Sequence, residues 1–292
     1  MDADTFPDKR VIKVVKKNYL AIKIDAEKGS GPELKDHYQI QGYPTMVILD
    51  GTGKEIDRIV GYRPPEEMVV ELNRILRNEG TIGDLQAKVK SDPNNVDYWQ
   101  QLAAKFEDRN DLESARDIWE TISELTPDLS EEARYHVAAY SAQIDGTITR
   151  LESFIREYPE SRYIQNAYYA IVKHYQQSGD IEKEVASFRQ LADFIVTHKL
   201  KDPNSLNSYS WRMAELERNL DDALVKVRLA ENMVSQMDNQ TKAQIMDTEA
   251  EVLWKMGRVD EAVTVINKCI SLQPEDEYYI RQKNKFTAAP AS

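Results

Sequence analysis

The stretch VDYWQQLAAKFEDRNDLESARDIWETISELTPD, Val96 to Asp128, decides how the chain is read. Trp99, Leu102, Ala103 and Phe106 recur at helical spacing and fall on one face of a first helix. Asn110 and Asp111 mark a turn. Ala115, Trp119 and Ile122 fall on one face of a second helix, which Pro127, lacking an N–H, brings to an end. Two antiparallel helices joined by so short a turn must cross closely. Small residues are needed where they touch, here Ala103 and Ala115, and large ones fill the flanks.

Sibling units follow. Gly257-Arg258-Val259-Asp260-Glu261-Ala262 repeats the turn and the second-helix start, with Ala250 before it and Ile266, Cys269 and Pro274 after it at matching offsets. Asn219 to Ala223 with Ala230 gives another unit. Tyr175, Gly179-Asp180 and Phe188 give a third, in which Glu184 stands where a small residue is expected. The unit around Ser130–Pro159 is expected to have a shortened first helix or turn. The pattern predicts five helical pairs, a joining helix over Thr81–Asp92, a capping helix over Glu275–Phe286 and a frayed Ala-Ala-Pro-Ala-Ser end. It resembles the tetratricopeptide repeat, whose period is ~34 residues. The first unit fills the usual positions except the glycine that opens the turn.

That resemblance implies a protein or peptide client, held on a concave face lined by the first helix of each pair. Asp97, Gln100, Ala104, Tyr169, Lys173, Asp247, Glu251 and Trp254 are placed on that face. Tyr169 and Trp254 are candidate anchors, since aromatic side chains dominate binding hot spots; packing at the edge of the core is the competing role for both. Some members of the family clamp a terminal carboxylate with a Lys/Arg/Asn cluster. Lys173 is the one cation in the set here, so that form of binding is not expected.

Residues 1–80 read differently. A helix is predicted over Asp8–Asn18, an alternating strand over Tyr19–Asp25 (YLAIKID), and a short helix over Pro32–Tyr38 after a break at Gly31. Thr45–Leu49 (TMVIL) is continuously apolar, as a buried strand would be. Asp50-Gly51-Thr52-Gly53 is a hairpin turn, Glu55–Val60 the returning strand, and Pro64–Leu76 a closing helix with Met68, Val69, Leu72, Ile75 and Leu76 inward. This order, with Ile40-Gln41-Gly42-Tyr43-Pro44-Thr45 and Gly61-Tyr62, resembles the second part of a thioredoxin domain over Met1 to Leu76. The resemblance implies a cis peptide bond at Pro44 and a substrate-side loop of Tyr43, Pro44 and Thr45.

The expected fold is therefore α/β plus all-α: a partial thioredoxin-like fold followed by a tetratricopeptide-type helical solenoid. The expected boundaries are 1–80 for the thioredoxin-like domain, 81–95 for the connector and 96–287 for the repeats. Thioredoxin-like enzymes act through Cys-x-x-Cys, and the only cysteine here is Cys269. In the family, the strand before that motif lies between the strands matched by YLAIKID and TMVIL. Losing it would remove about four buried aliphatic side chains, ~6–12 kcal/mol of burial. Two explanations stay open. The sequence is a fragment, or begins at a late start codon, of a thiol–disulfide oxidoreductase whose repeats bind a client; or it is a non-redox adaptor whose sheet is rearranged or completed by a partner. An upstream signal peptide would place the protein in the periplasm or outside the cell, and without one it is cytoplasmic.

The remaining residues narrow the chemistry. Net charge is −12, with 13 basic against 14 acidic residues in 1–80 and 25 against 36 in the rest. Such acidity favours solubility and repels phosphate backbones, so nucleic acid is not an expected partner. No apolar run approaches the ~18 residues of a membrane span. Cys269 falls on a small-residue packing position and reads as a buried, inert thiol. His37, His136, His174 and His198 lack metal-ligand spacing, and no phosphate loop, nucleophile elbow or HExxH helix is present. No metal, cofactor or catalytic residue is assigned.

Overall fold

Asp8 starts the first helix, α1 (Lys9–Asn18), by accepting the Arg10 N–H at 2.8 Å. The computed structural model describes residues 1–126 and 129–288. Pro127, Asp128 and the terminal Ala289–Ser292 lie outside the described residues, and with them the helix stop assigned to Pro127 and the expected fraying. Fifteen helices and one two-stranded sheet make up the described chain. It divides into two compact units, Met1–Ser161 and Arg162–Ser292. The division falls among the repeats rather than at residues 80 or 95.

In the first unit α1 is followed by α2 (Gly31–His37), β1 (Thr45–Leu49), β2 (Glu55–Val60) and α3 (Pro65–Leu76). β1 and β2 pair antiparallel, Thr45 opposite Val60 and Ile48 opposite Asp57, with an irregularity after Ile48. The predicted turn is present: Asp50 accepts the backbone N–H groups of Thr52 at 2.8 Å and Lys54 at 3.1 Å. Gly53, at φ 87°, takes the left-handed conformation that the turn requires. Val11, Ile48, Ile59, Met68, Leu72 and Ile75 form the core beneath this sheet.

Two expectations fail here, for one reason. Residues 19–25 form no strand, and Leu20 and Ile22 are 90% and 74% exposed. An alternating segment becomes a strand only where a neighbour offers its edge, and among the described residues none does. For the same reason β1 is not the buried central strand that its composition suggests. Only Ile48 is fully buried in it, and Leu49 is exposed.

The buried strand is β2, and it is charged. Asp57 is fully buried between Lys105, whose Nζ lies 2.8 and 3.0 Å from its two oxygens, and Arg74 at 2.8 Å. Arg58 grips Glu55 with two bonds of 2.7 and 2.8 Å and donates to the carbonyls of Tyr38 and Asp108. Lys105 and Asp108 belong to α5 (Val96–Asp108), the first helix of the first repeat. The hairpin is thereby locked to the repeats, through α4 (Ile82–Ser91) in sequence and through ion pairs in space. The first unit is completed by α6 (Leu112–Leu125), α7 (Ser130–Asp145) and α8 (Thr149–Glu157). The 130–159 pair is indeed short, but in its second helix: α7 has 16 residues and α8 has 9. Gly146, left-handed at φ 72°, ends α7, and Pro159 follows α8.

The second unit holds α9 (Ile164–Ser178), α10 (Ile181–Thr197), α11 (Pro203–Leu216), α12 (Leu220–Met233), α13 (Asn239–Lys255), α14 (Val259–Leu272) and α15 (Glu277–Thr287). With α5/α6 and α7/α8 these complete five helical pairs and a cap. The crossings use small residues as expected: Ala103, Ala115, Ala250 and Ala262 are fully buried, and Ser210 donates to the Ala223 carbonyl at 2.9 Å. Cys269 is fully buried too. Burial pushes its thiol up to about 12, so it stays protonated and inert.

Between α12 and α13, Glu231 meets Glu249. Arg228 donates to Glu249 at 2.6 Å, while Oε1 of Glu231 is shielded and has no hydrogen-bond partner. Burial, and then the adjoining Glu249, push Glu231 up to about 8.

Two outcomes are expected. Lys105→Met should destabilise the chain by about 2 kcal/mol, the scale of a hydrogen bond to a charged group. In urea unfolding, adding Asp57→Ala should cost much less than the sum of the single losses; strict additivity would show that the contact contributes nothing. At Glu231 the folded state binds a proton that the unfolded state, with an ordinary value near ~4.3, has released. The stability from that proton is complete below the unfolded value and is lost as pH rises through about 8. The Tm advantage of Glu231→Gln over the parent should therefore grow from pH 5 to pH 9, and a flat difference would refute the assignment.

Candidate functional site: a cleft between two first helices

α9 and α11 are first helices of successive pairs, and in the second unit they flank an open cleft of about 790 Å³. Residues at helical spacing line each wall: Tyr169, Lys173 and Gln176 on α9, and Asn207, Trp211 and Glu215 on α11. Val172 and Phe188, both buried, form part of the apolar lining.

The polar groups of the cleft are nearly all paired. Glu184 of α10 is only 1% exposed and receives two bonds from Arg212, at 2.6 and 3.1 Å, and one from Gln176 at 3.1 Å. Arg212 beside it holds its carboxyl below the usual range. Arg212 also donates to Glu215 at 3.1 Å, and the Trp211 indole N–H donates to the same carboxylate at 3.0 Å. At the other end the Tyr169 hydroxyl is bonded to the hydroxyl of Ser205, which Asp202 fixes in turn. Ser208 is exposed and makes no hydrogen bond among the described residues, and two further groups are left over. Lys173 is exposed and makes no ion pair among the described residues. Oδ1 of Asn207 is shielded from solvent without a hydrogen-bond partner.

Of the expected face, the structure brings Tyr169 and Lys173 together and leaves Tyr169 38% exposed. Gln100 is half-buried on α5, with Asp97 and Ala104 exposed on the same helix, in the other compact unit. Asp247 and Glu251 are not open to a client: both are 5% exposed, because α15 lies over them. Tyr278 and Gln282 donate to Asp247 at 2.9 and 3.3 Å, and Lys285 donates to Glu251 at 2.6 and 2.7 Å. Burial raises Asp247 to about 6. Trp254 is half-buried, with the Lys285 ammonium 4.6 Å from its ring and Phe286 beside it. The capping helix occupies the place where a further first helix would pack.

Asn207, Trp211 and Arg212 escaped the sequence reading, which counted one cation on this face. The signal was present as a misfit. A buried carboxylate at a helix-crossing position demands a cation in contact with it, and Glu184 finds one in the half-buried Arg212.

In the first unit the loop Tyr43, Pro44, Thr45 has the expected form. The Tyr43–Pro44 bond is cis, Tyr43 and Pro44 are exposed, and Thr45 Oγ1 donates to the Gly42 carbonyl at 2.8 Å. The Gly61 N–H donates to the Pro44 carbonyl at 2.8 Å, which brings Tyr62 alongside. Among the described residues no cluster of His, Cys, Asp and Glu is arranged to hold a metal ion. None of the described helices is long and apolar enough to cross a membrane.

Residues 1–76 match the model of a thioredoxin-like domain, and residues 243–276, spanning most of α13 and α14, match a tetratricopeptide repeat. The chain carries a thioredoxin-like domain and tetratricopeptide repeats. Similar solved structures include YrrB, described as a tetratricopeptide repeat protein with an unusual peptide-binding site. It is 14% identical at a TM-score of 0.47, covering 68% of this chain and 97% of that one. A tetratricopeptide repeat protein from Parabacteroides merdae is 14% identical at 0.47, covering 65% and 72%. BtubC from P. vanneervenii is 13% identical at 0.45, covering 72% and 91%. No curated protein matches the sequence.

The Glu184–Arg212 pair yields a sharp expectation. Arg212→Met leaves Glu184 buried and uncompensated, at a cost of about 3–5 kcal/mol. Adding Glu184→Ala, which restores a small residue at the crossing, should recover most of that loss in urea unfolding. A double variant no more stable than Arg212→Met would show that the pair is not the element holding α9, α10 and α11.

Proposed function

We propose that this protein is an interaction scaffold whose repeats hold a protein client in the α9–α11 cleft, with the Tyr43-Pro44-Thr45 loop as a second contact surface. Tetratricopeptide repeats generally bind proteins or peptides, which supports the coarser reading. The observation that carries the finer one is the cleft itself. Its walls are fixed by internal bonds, so a client meets a surface already in shape and little ordering cost is added on binding.

A second reading is a thiol–disulfide oxidoreductase whose repeats deliver the client. The thioredoxin-like match and the extended, unpaired 19–25 segment beside so small a sheet favour it. Exchange needs a vicinal dithiol, and these 292 residues contain one cysteine, buried and protonated. In-frame codons for Cys-x-x-Cys ahead of Met1 would support this reading; an in-frame stop codon directly before Met1 would remove it.

The 292-residue chain should reduce insulin no faster than a blank. A photo-reactive phenylalanine derivative at Trp211 should cross-link a client in the native cell, while the same group at Val225, exposed on α12, should not. Equal adducts at both positions would overturn the placement of the client, and insulin turnover would overturn the redox assignment.

A further inference from the structure

Beyond the presence of a client, the groups left unmatched in the cleft indicate its chemistry. The carboxylate that lines the cleft, Glu215, is already engaged by Arg212 and Trp211, and the buried Glu184 behind it by Arg212 and Gln176. The Arg212 charge is thereby cancelled twice. Lys173 alone is an uncancelled charge on the walls, and it is positive although the chain as a whole is at −12. Screening confines distant acidic residues to weak influence beyond ~8 Å at physiological salt, so the local cation governs what sits against it. Around it the exposed faces are aromatic, Tyr169 and Trp211, with Phe188 and Val172 below.

We infer that the cleft takes an extended peptide segment in which an acidic side chain lies next to a large apolar one: the carboxylate on Lys173 and the apolar group between Tyr169 and Trp211. This rests on the client-binding reading above and specifies its partner. The acid is a side chain within the segment. A terminal carboxylate is not required, since Arg212, the second cation of the cleft, is already committed to Glu184 and Glu215.

The full chain, labelled with a fluorophore, is applied to a printed array of nonapeptides. The central residues pair Asp, Glu, Gln, Lys or Arg with Leu, Phe, Trp, Gly or Ser, and each peptide is printed with an amidated and with a free C-terminus. Amidated peptides pairing Asp or Glu with Leu, Phe or Trp should be retained. Lys173→Glu should weaken them about tenfold or more, which corresponds to ~1.4 kcal/mol, and shift retention to Lys and Arg peptides. Lys173 is exposed, so that variant should fold, and circular dichroism checks it. Trp211→Ala should weaken retention without altering the charge preference. Retention that ignores charge, persists unchanged in Lys173→Glu, or needs a free C-terminus overturns this inference and leaves the client reading standing. An array that retains nothing on the parent chain overturns both.

Discussion

The structure depends on how closely paired helices can cross. Where Ala103 meets the neighbourhood of Ala115, and Ala250 that of Ala262, the absence of a long side chain lets two backbones approach and the flanking large residues interlock. The same constraint gives the cleft its character. At the crossing of α9 and α10 the small residue is replaced by Glu184, and a buried carboxylate is stable there only with a cation in permanent contact. Arg212 supplies it from α11. One departure from the repeat pattern thus fixes three helices relative to each other and takes a cation out of circulation. What remains on the walls is aromatic surface, one lysine and one unsatisfied amide.

The front of the chain solves a different problem by similar means. A two-stranded hairpin has little stability of its own. Here its inner strand is charged rather than apolar, and Asp57 and Arg58 bind it to α3, to the end of α2 and to α5. The thioredoxin-like domain and the first repeats share one compact unit for that reason. The exposed Tyr43-Pro44 loop belongs to a part of the chain that is fastened to α5.

Most of this architecture was legible in the sequence, because crossing positions, turns and caps leave local marks. The five pairs, the hairpin turn at Asp50–Gly53, the cis bond at Pro44 and the buried thiol of Cys269 follow from such marks or from the family resemblance they carry. The failures concern partners distant in sequence. YLAIKID has the period of a strand, yet a strand needs a neighbour, and periodicity says nothing of neighbours. Asp247 has the spacing of an open first-helix face, but α15 arrives some thirty residues later to cover it. The cleft was half legible. Tyr169 and Lys173 came from repeat position alone, whereas Asn207, Trp211 and Arg212 required the pairing that Glu184 hinted at.

The central claim is that clients are held between α9 and α11. Amide hydrogen exchange on the full chain, alone and saturated with an array-retained peptide, tests it most directly. The account predicts added protection concentrated in residues 164–178 and 203–216, with α13 and α15 unchanged. Protection centred on α13, α15 or the 43–45 loop, with 164–178 and 203–216 unaffected, would contradict it.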